Sequence, residues 1–478
     1  MKVLAAFLVN TLVNFIIGLM VAKYLGPDQF GRFALAMAIS MVAQTLCFEW
    51  IRQAAIRFYS LKASQEQPQL RATLDMSFAI LSACAAAAAI AFILAGWNFS
   101  LSNELVALAF VAAITNGLFD YKTALVRARF QDGLYGKIVI IKNILAFFLT
   151  VGGAFFFQSA AMTVAGMCVS MASAVIFMRG ALSDPQARPS LAERALAFDH
   201  ARYALPIITA NVLYLAIPLT NRAIISSHYG FAENGQFSLA FDIGSRLIAA
   251  VGSALDVLLF QIAVRADEMH GREKAREQVA ANMATMFAIL VPSAVGLWLI
   301  LPSLEHLIVP GEFRGPFAHY LTLLLPGLLA FGVMNFAINA FFQIRKSTLP
   351  LIGAALCACL VNAGLIFAIA STKDATRFAI AQSGAFVAAF ATLAIFAAAS
   401  GARWPRARGL LLTIIATAIM AAALYPMRQW PPGVFTLAAQ IVAGAAIFGG
   451  LVAVFDIARL RSNIMNAWRG RHGGSPSH

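Results

Sequence analysis

The chain has 478 residues, of which 61% are hydrophobic and only 12% are charged. Soluble domains carry about 25% charged residues, so this composition excludes a set of soluble domains. The apolar residues come in windows of about 20, which at about 1.5 Å per residue cross a hydrocarbon core of about 30 Å. The net charge of +14 does not indicate nucleic acid, because Lys and Arg lie mostly in short loops between these windows. The sequence therefore predicts a multi-pass, all-α membrane protein.

Two apolar runs flank a turn at Gly26, and the same pattern returns 204 residues later at Gly230. Gly31 and Gly235 are also identical at this offset, as are four apolar positions that follow them. Each turn is too short to hold a domain, so we expect a tight helical hairpin at both places. The repeat predicts a duplicated membrane bundle.

Taken in order, the apolar windows predict fourteen membrane spans, at residues 3–23, 30–50, 74–97, 104–121, 138–157, 160–179, 204–227, 236–262, 279–301, 317–342, 349–370, 377–400, 407–425 and 433–456. With the N-terminus inside, the inner segments hold 26 Lys and Arg residues and the outer segments hold 6. An error of one span would reverse every later loop and remove this contrast. The positive-inside rule therefore predicts an even number of spans and two cytoplasmic termini.

The repeat also predicts the domain organisation. Each copy holds six spans, so both copies enter the membrane in the same direction and form two parallel six-helix lobes, at residues 1–180 and 204–400. Residues 181–203 form a cytoplasmic linker in which a capping box, Ser190 to Glu193, predicts a short interfacial helix; an ordinary solvated linker is the alternative. Two extra spans at 401–458 and a cytoplasmic tail at 459–478 complete the chain.

Charges inside the spans are the main candidates for function, because each costs about 2.5–3.5 kcal/mol near the bilayer centre unless it meets a partner or water. Arg222 precedes the second hairpin turn and Asp242 follows it at similar depth, with Arg246 one helical turn further on the same face. The three residues form either a structural salt bridge or a cationic cavity wall that receives an anion. Pro206 and Pro218 predict a bend in the helix that carries Arg222.

Other polar residues are candidates for the cavity or its gates. Lys23 and Arg32 flank the first turn. Either they act at the outer mouth of the cavity, or their side chains snorkel to the membrane interface. Lys142 lies inside span 5 and either snorkels to the cytoplasm or lines the cavity. Glu49 and Arg52 form a local ion pair or part of an inner gate. Two i,i+4 asparagine pairs serve either as hydrogen-bonding groups between helices or as ligands for sugar hydroxyls: Asn10 with Asn14, and Asn335 with Asn339.

No catalytic, metal or cofactor motif is visible in the sequence. There is no P-loop, no HExxH and no paired carboxylates in an outer loop. The five cysteines all fall in apolar windows and are expected to be small hydrophobic residues buried in the membrane. We therefore expect a protein without enzymatic activity, cofactor or metal.

Three segments carry a family resemblance: Tyr24-Leu-Gly-Pro-Asp-Gln-Phe-Gly-Arg-Phe33, Arg52-Gln-Ala-Ala-Ile-Arg-Phe-Tyr59 and Ala340-Phe-Phe-Gln-Ile-Arg-Lys346. Together with the fourteen spans, they resemble bacterial polysaccharide-repeat flippases of the multidrug/oligosaccharidyl-lipid/polysaccharide (MOP) superfamily. The resemblance implies a central cavity between two lobes in the bacterial inner membrane. It also implies that undecaprenyl-diphosphate-linked oligosaccharide is flipped outward by alternating access, for O-antigen or exopolysaccharide synthesis.

For this chain, the resemblance implies that Arg222 and Arg246 bind the anionic headgroup. It also implies the lipid bilayer, the lipid-linked glycan and polysaccharide polymerase or assembly proteins as partners. A multidrug or small-solute antiporter on the same fold is the alternative, and it would place carboxylates rather than arginines in the cavity. A membrane glycan polymerase or ligase would need a long outer loop, and the longest one here, near residues 302–316, is too short.

Overall fold

The computed structural model describes residues 2–60, 66–97, 100–345, 347–368, 374–459 and 461–462. Two compact units divide the chain, one formed by Met1–Leu239 with Ala370–Phe378 and the other by Ala240–Ile369 with Ala379–His478. Every regular element in the described residues is helical. The prediction of an all-α membrane protein is confirmed. The domain boundaries and the cytoplasmic placement of both termini remain predictions.

The first unit contains most of the early helices. They are α1 (Lys2–Phe58), α2 (Pro68–Leu94), α3 (Asn103–Ala128), α4 (Asp132–Phe157), α5 (Ala160–Phe177), the single turn α6 (Arg179–Leu182), α7 (Arg194–Tyr229) and the first residues of α8 (Phe231–Ile308). Helix α1 packs most extensively on α3 and α7. Phe48, Tyr59, Leu74, Phe110 and Tyr121 are among the buried side chains of this core.

The second unit contains the rest of α8, followed by α9 (Pro316–Ile344), α10 (Leu349–Ala368), most of α11 (Thr376–Ala399), α12 (Ala407–Leu424) and α13 (Val434–Phe455). Helix α8 is broken at Gly271, where φ is +80°. Helices α12 and α13 pack on each other, and Met420 and Leu424 of α12 are buried in a cluster with Leu299 of α8.

Thirteen helices in the described residues are long and apolar enough to cross a membrane. Helix α8 counts twice among them, as Phe231–Gly271 and Glu273–Ile308, whereas α1 counts once although it covers the first two predicted spans. Its backbone leaves the helical conformation at Gly26, where φ is 66° and ψ is 174°. With the two parts of α1 counted separately, the helices match the fourteen predicted spans in order.

The internal repeat is visible in the backbone. Gly26 and Gly230, 204 residues apart, both have positive φ with ψ near 170°, and this conformation strongly favours glycine. In the first unit the two copies of the motif touch reciprocally. A Cβ atom added to Gly31 would lie 1.9 Å from the carbonyl oxygen of Phe231, and one added to Gly235 would lie 2.1 Å from that of Pro27. Since Pro27 and Phe231 are also 204 residues apart, the contact has local two-fold symmetry.

The capping-box prediction is wrong. Residues Pro189–Leu191 form a single 3-10 turn, and α7 begins only at Arg194 and continues without interruption into the membrane-spanning part. The N-cap is Glu193, and its side chain makes no cap hydrogen bond. Its backbone N–H donates to Thr73 Oγ1 at 2.9 Å instead. The start of α7 is therefore fixed by a contact with α2 rather than by a local cap.

Candidate functional site

A buried polar network surrounds Lys142 in α4. The Lys142 side chain is 6% exposed, and its Nζ donates to Asn14 Oδ1 at 2.9 Å and to Asn143 Oδ1 at 3.0 Å. The amide of Asn143 donates to Asn10 Oδ1 at 3.0 Å, and Asn14 donates to the same oxygen at 2.9 Å. The predicted asparagine pair of span 1 and the lysine of span 5 therefore belong to one network. Lys142 is thus buried and hydrogen-bonded to side-chain amides, and its place in a transport cavity remains a prediction.

Close helix packing holds α4 in place beside α5. A Cβ atom added to Gly153 would lie 2.7 Å from the carbonyl oxygen of Met162, and one added to Gly166 would lie 2.2 Å from that of Leu149. Only glycine allows this approach of the two backbones. The same part of α4 contains a π-helical segment, Phe147–Val151, and such segments are frequent at functional sites. Lys142 precedes this π-helical segment by five residues in the chain.

A cavity of about 240 Å³ adjoins the Lys142 network and lies entirely in the first unit. Its polar lining comes from α1, α3 and α4: Asn10, Arg52, Asp120, Thr123, Arg127, Tyr135 and Lys142. Asp120 Oδ2 accepts a hydrogen bond from Gln44 Nε2 at 2.8 Å. Arg52 is paired with Glu49 through two hydrogen bonds, one of them from Nε to Oε2 at 2.8 Å. The cavity thus carries three cationic side chains and one carboxylate on its walls.

Arg222 lies in the first unit and is buried. Its Nη1 donates to the backbone oxygen of Ala34 in α1 at 3.1 Å. Asp242 is half-buried and Arg246 is exposed, and both lie on the part of α8 that belongs to the second unit. The grouping of the three residues into one cavity wall remains a prediction. The prediction of a bend at Pro206 and Pro218 is also untested, although α7 is helical through both prolines.

The remaining candidates have local partners. Arg32 forms an ion pair with Asp28 at 3.0 Å and stacks over the ring of Phe231 at 4.2 Å. Lys23 is exposed and lies 5.8 Å from the ring centre of Tyr24. In the second unit, Asn339 Nδ2 donates to Asn335 Oδ1 at 3.0 Å, beside the π-helical segment Met334–Ile338 of α9.

A second buried network joins α2 to α3. Asp75 accepts hydrogen bonds from Arg71 Nε at 2.7 Å, from Lys122 Nζ at 2.9 Å and from Tyr121 Oη at 2.9 Å. Arg71 is 2% exposed and also donates to the backbone oxygen of Leu182 at 3.2 Å. Although the positive-inside count assigned Arg71 and Lys122 to loops, both lie inside helices. The network fixes α2, α3 and the segment after α5 to one another.

The second unit contains an apolar groove of about 470 Å³ between α8, α12 and α13. Most of its lining is aliphatic, including Leu247, Ile289 and Leu304, whereas Phe448 adds an aromatic ring, and Gly296 and Gly444 leave it open. Gln440 supplies a polar group at the wall. A groove of this composition fits an extended hydrocarbon chain rather than a hydrated group.

The sequence analysis did not identify Asp120, Gln44, Asn143, Arg127 or Tyr135 as site residues. Asp120 and Asn143 could have been found by the same rule that selected Lys142, since both lie at or beside apolar windows. Gln44 could not, because its role depends on a partner 76 residues away in the chain. Among the described residues, no group of His, Cys, Asp and Glu is arranged to hold a metal ion.

The described residues define a multi-pass, all-α membrane protein with a polar cavity in one unit and an apolar groove in the other. The profile of a family described as polysaccharide biosynthesis protein matches residues 20–308. The chain therefore belongs to this polysaccharide biosynthesis family. A comparison with curated protein sequences finds no match.

Solved structures support the same architecture. The lipid II flippase MurJ in an inward closed conformation aligns with a TM-score of 0.69 at 16% identity, over 95% of this chain and 98% of that chain. An inward-facing multidrug resistance MATE transporter of the MOP superfamily aligns with a TM-score of 0.60 at 14% identity, over 87% and 96%. The MATE multidrug transporter DinF-BH gives a TM-score of 0.57 at 11% identity, over 84% and 94%. At these identities the comparison establishes the fold.

Proposed function

We propose that this protein flips an undecaprenyl-diphosphate-linked oligosaccharide repeat unit from the cytoplasmic to the periplasmic leaflet of the bacterial inner membrane. The product would feed O-antigen or exopolysaccharide synthesis. Membership of the polysaccharide biosynthesis family is the observation that carries the proposal. The similarity to a lipid II flippase supports it at the level of the fold.

The two sites described above suit the two ends of such a substrate. The cavity beside Lys142 offers amide, hydroxyl, carboxylate and guanidinium groups to a glycan. The apolar groove between α8, α12 and α13 offers aliphatic walls to a prenyl chain. In this proposal the diphosphate binds Arg222 and Arg246, as the family resemblance implies. Lys23, Arg32, Glu49 and Arg52 act at the outer and inner mouths.

The membrane potential favours this direction of transport. A diphosphate carries about two negative charges, and a potential of about 100 mV, negative inside, contributes about 2.3 kcal/mol per charge. Outward movement is therefore favoured by roughly 4–5 kcal/mol. In this scheme the potential helps to drive export without a coupled ion, with ion-coupled exchange through Asp242 as the alternative. A polysaccharide polymerase or assembly protein takes the unit at the outer leaflet.

Reconstituted vesicles test the proposal. Purified protein is incorporated with a fluorescent undecaprenyl-diphosphate disaccharide, and the fraction of probe reached by an external quencher is followed with time. We expect faster equilibration than in protein-free vesicles. Probe movement equal to that in protein-free vesicles, from protein shown to be folded, would exclude flippase activity toward this class of lipid.

The two arginines are tested in the same assay. Removing a charged hydrogen-bonding partner costs about 1.5–3 kcal/mol, which corresponds to a loss of about tenfold or more in rate. Arg222→Gln and Arg246→Gln are compared with Arg403→Gln, whose exposed side chain pairs with Glu273 and Glu277 at the surface. Unchanged flipping in both test variants would remove these arginines from the mechanism.

The alternative, a multidrug or small-solute antiporter, has support in the MATE folds. A cationic drug would need carboxylates in its site. In the cavity of the first unit, Asp120 is outnumbered by Arg52, Arg127 and Lys142. Transport of a cationic dye such as rhodamine, with no movement of the lipid probe, would favour this alternative.

A further inference from the structure

The ammonium of Lys142 is held by neutral groups. Its two hydrogen bonds go to the side-chain amides of Asn14 and Asn143. Within the part of the chain that the structure describes, no carboxylate lies within ion-pair distance of Lys142 Nζ. Amide oxygens orient the amine but do not neutralise it, and Asp120 on the same cavity wall interacts with it electrostatically without forming an ion pair. The arrangement is that of a cation prepared for an anionic ligand.

The carboxylate on the cavity wall, Asp120, is shared between two cations, since it interacts electrostatically with both Arg52 and Lys142. Asp120 Oδ2 accepts the hydrogen bond from Gln44, and Arg52 on the same wall is neutralised by Glu49. Arg127 stands over the ring of Tyr135 at 5.7 Å and is exposed at the cavity margin. Even with Glu49 counted, three cations face two carboxylates around the cavity, so its charges sum to +1.

The shape and chemistry of the cavity select the class of anion. Its volume of about 240 Å³ equals the liquid volume of about eight water molecules at about 30 Å³ each, and this suits one sugar ring. Asn10, Thr123 and Asp120 offer donors and acceptors for ring hydroxyls. Tyr135 adds an aromatic face with an apolar surface. A diphosphate has no ring hydroxyls and would leave these groups without a ligand.

We infer that this cavity binds an acidic monosaccharide of the transported glycan, with the sugar carboxylate paired to Lys142. The inference rests on the proposed flippase function and adds a substrate class, a repeat unit that contains a uronic acid. Asn14 and Asn143 hold the lysine in position, and Arg127 with Tyr135 closes the cavity margin over the ring.

Binding measurements test the site directly. Protein in lipid nanodiscs is titrated calorimetrically with D-glucuronate, D-glucose and inorganic pyrophosphate. We expect glucuronate to bind at least tenfold more tightly than glucose, and Lys142→Met to abolish this preference. Lys137→Met is the matched control, because Lys137 lies on the same helix, is exposed and does not line the cavity. Lys142→Arg keeps the positive charge and should keep part of the preference.

Two results would overturn the assignment. Equal binding of glucuronate and glucose by the wild-type protein would show that the cavity does not select an acid. Pyrophosphate binding that is tighter than glucuronate binding, and lost in Lys142→Met, would assign the lysine to the diphosphate instead. Thermal unfolding of each variant identifies any variant that fails to fold. If Lys142→Met does not fold, the comparison is made with Lys142→Arg instead.

Flipping assays separate this inference from the proposed function. Two undecaprenyl-diphosphate disaccharides are compared, one containing glucuronate and one containing glucose. Lys142→Met should slow the acidic probe at least tenfold more than the neutral probe, and Lys137→Met should change neither. Wild-type protein that flips neither probe contradicts the proposed function. Wild-type protein that flips both, with equal effects of Lys142→Met on each, contradicts only the acidic-sugar site.

Discussion

The reciprocal glycine contact between the two copies of the hairpin motif gives the sharpest stability prediction. A Cβ atom at Gly31 would lie 1.9 Å from a carbonyl oxygen, and one at Gly235 would lie 2.1 Å from another. Ordinary contact begins near 3.4 Å, so each Gly→Ala change forces the helices apart by about 1 Å or more. Overpacking of this kind costs about 1–3 kcal/mol. Alanine also favours the helix by up to about 1 kcal/mol over glycine, and this gain must be subtracted.

Gly136→Ala isolates the propensity gain, because Gly136 lies in a helix and an added Cβ there meets no other atom within 4 Å. Unfolding free energies from sodium dodecyl sulfate titration in mixed micelles should place Gly31→Ala and Gly235→Ala about 1–3 kcal/mol below Gly136→Ala. Because both changes separate the same two helices, the double variant should cost less than the sum of the singles by more than about 0.5 kcal/mol. Equal stability of all three single variants, or strict additivity, would refute the reciprocal contact.

Three further predictions concern other parts of the chain. Asp75→Asn removes the charge that pairs with the buried Arg71 and, because Asp75 itself is only half-buried, should destabilise the protein by about 1.5–3 kcal/mol, whereas Asp28→Asn at an exposed pair should cost at most about 1 kcal/mol in the same titration. Gly296 lines the apolar groove and an added Cβ there meets no atom within 4 Å, so Gly296→Leu should obstruct the groove and slow flipping of a long prenyl probe at least tenfold, whereas Gly449→Leu, outside the groove, should not. Reporter fusions should place both chain termini in the cytoplasm, and a periplasmic reporter at either end would contradict the positive-inside assignment.

The membrane spans could be predicted from the sequence because the energetic signal for them is local. A window of about 20 apolar residues is long enough to span the bilayer whatever its neighbours are. The breaks at Gly26 and Gly230 were also predictable, since the repeat marks both turns and glycine tolerates positive φ. The capping box at Ser190 failed because the backbone N–H of Glu193 found a partner in Thr73, 120 residues away. A local sequence motif gives no information about competing hydrogen-bond partners that are distant in the chain.

The candidate site was predicted only in part for the same reason. Lys142 and the pair Asn10 and Asn14 were selected because polar groups inside spans are costly. Hydrogen bonds between residues 128 and 133 positions apart in the chain join them into one network. No rule based on local spacing predicts contacts over such separations. Arg71 was assigned to a loop because charges usually stay in water. It lies inside α2 because Asp75, one helical turn away, compensates its charge.

The two copies of the repeat share the backbone framework of the hairpin but differ in their polar side chains. The two copies keep the glycines that let their helices meet, so the framework of the hairpins is symmetric. Their polar residues are not symmetric: Asn10 of the first copy corresponds to Tyr214 of the second, and Gly18 corresponds to Arg222. A lipid-linked glycan is itself asymmetric, with sugars at one end and a hydrocarbon chain at the other. In the proposed function, divergent side chains such as Lys142 on that frame let the two ends of the lipid-linked glycan meet different chemistry.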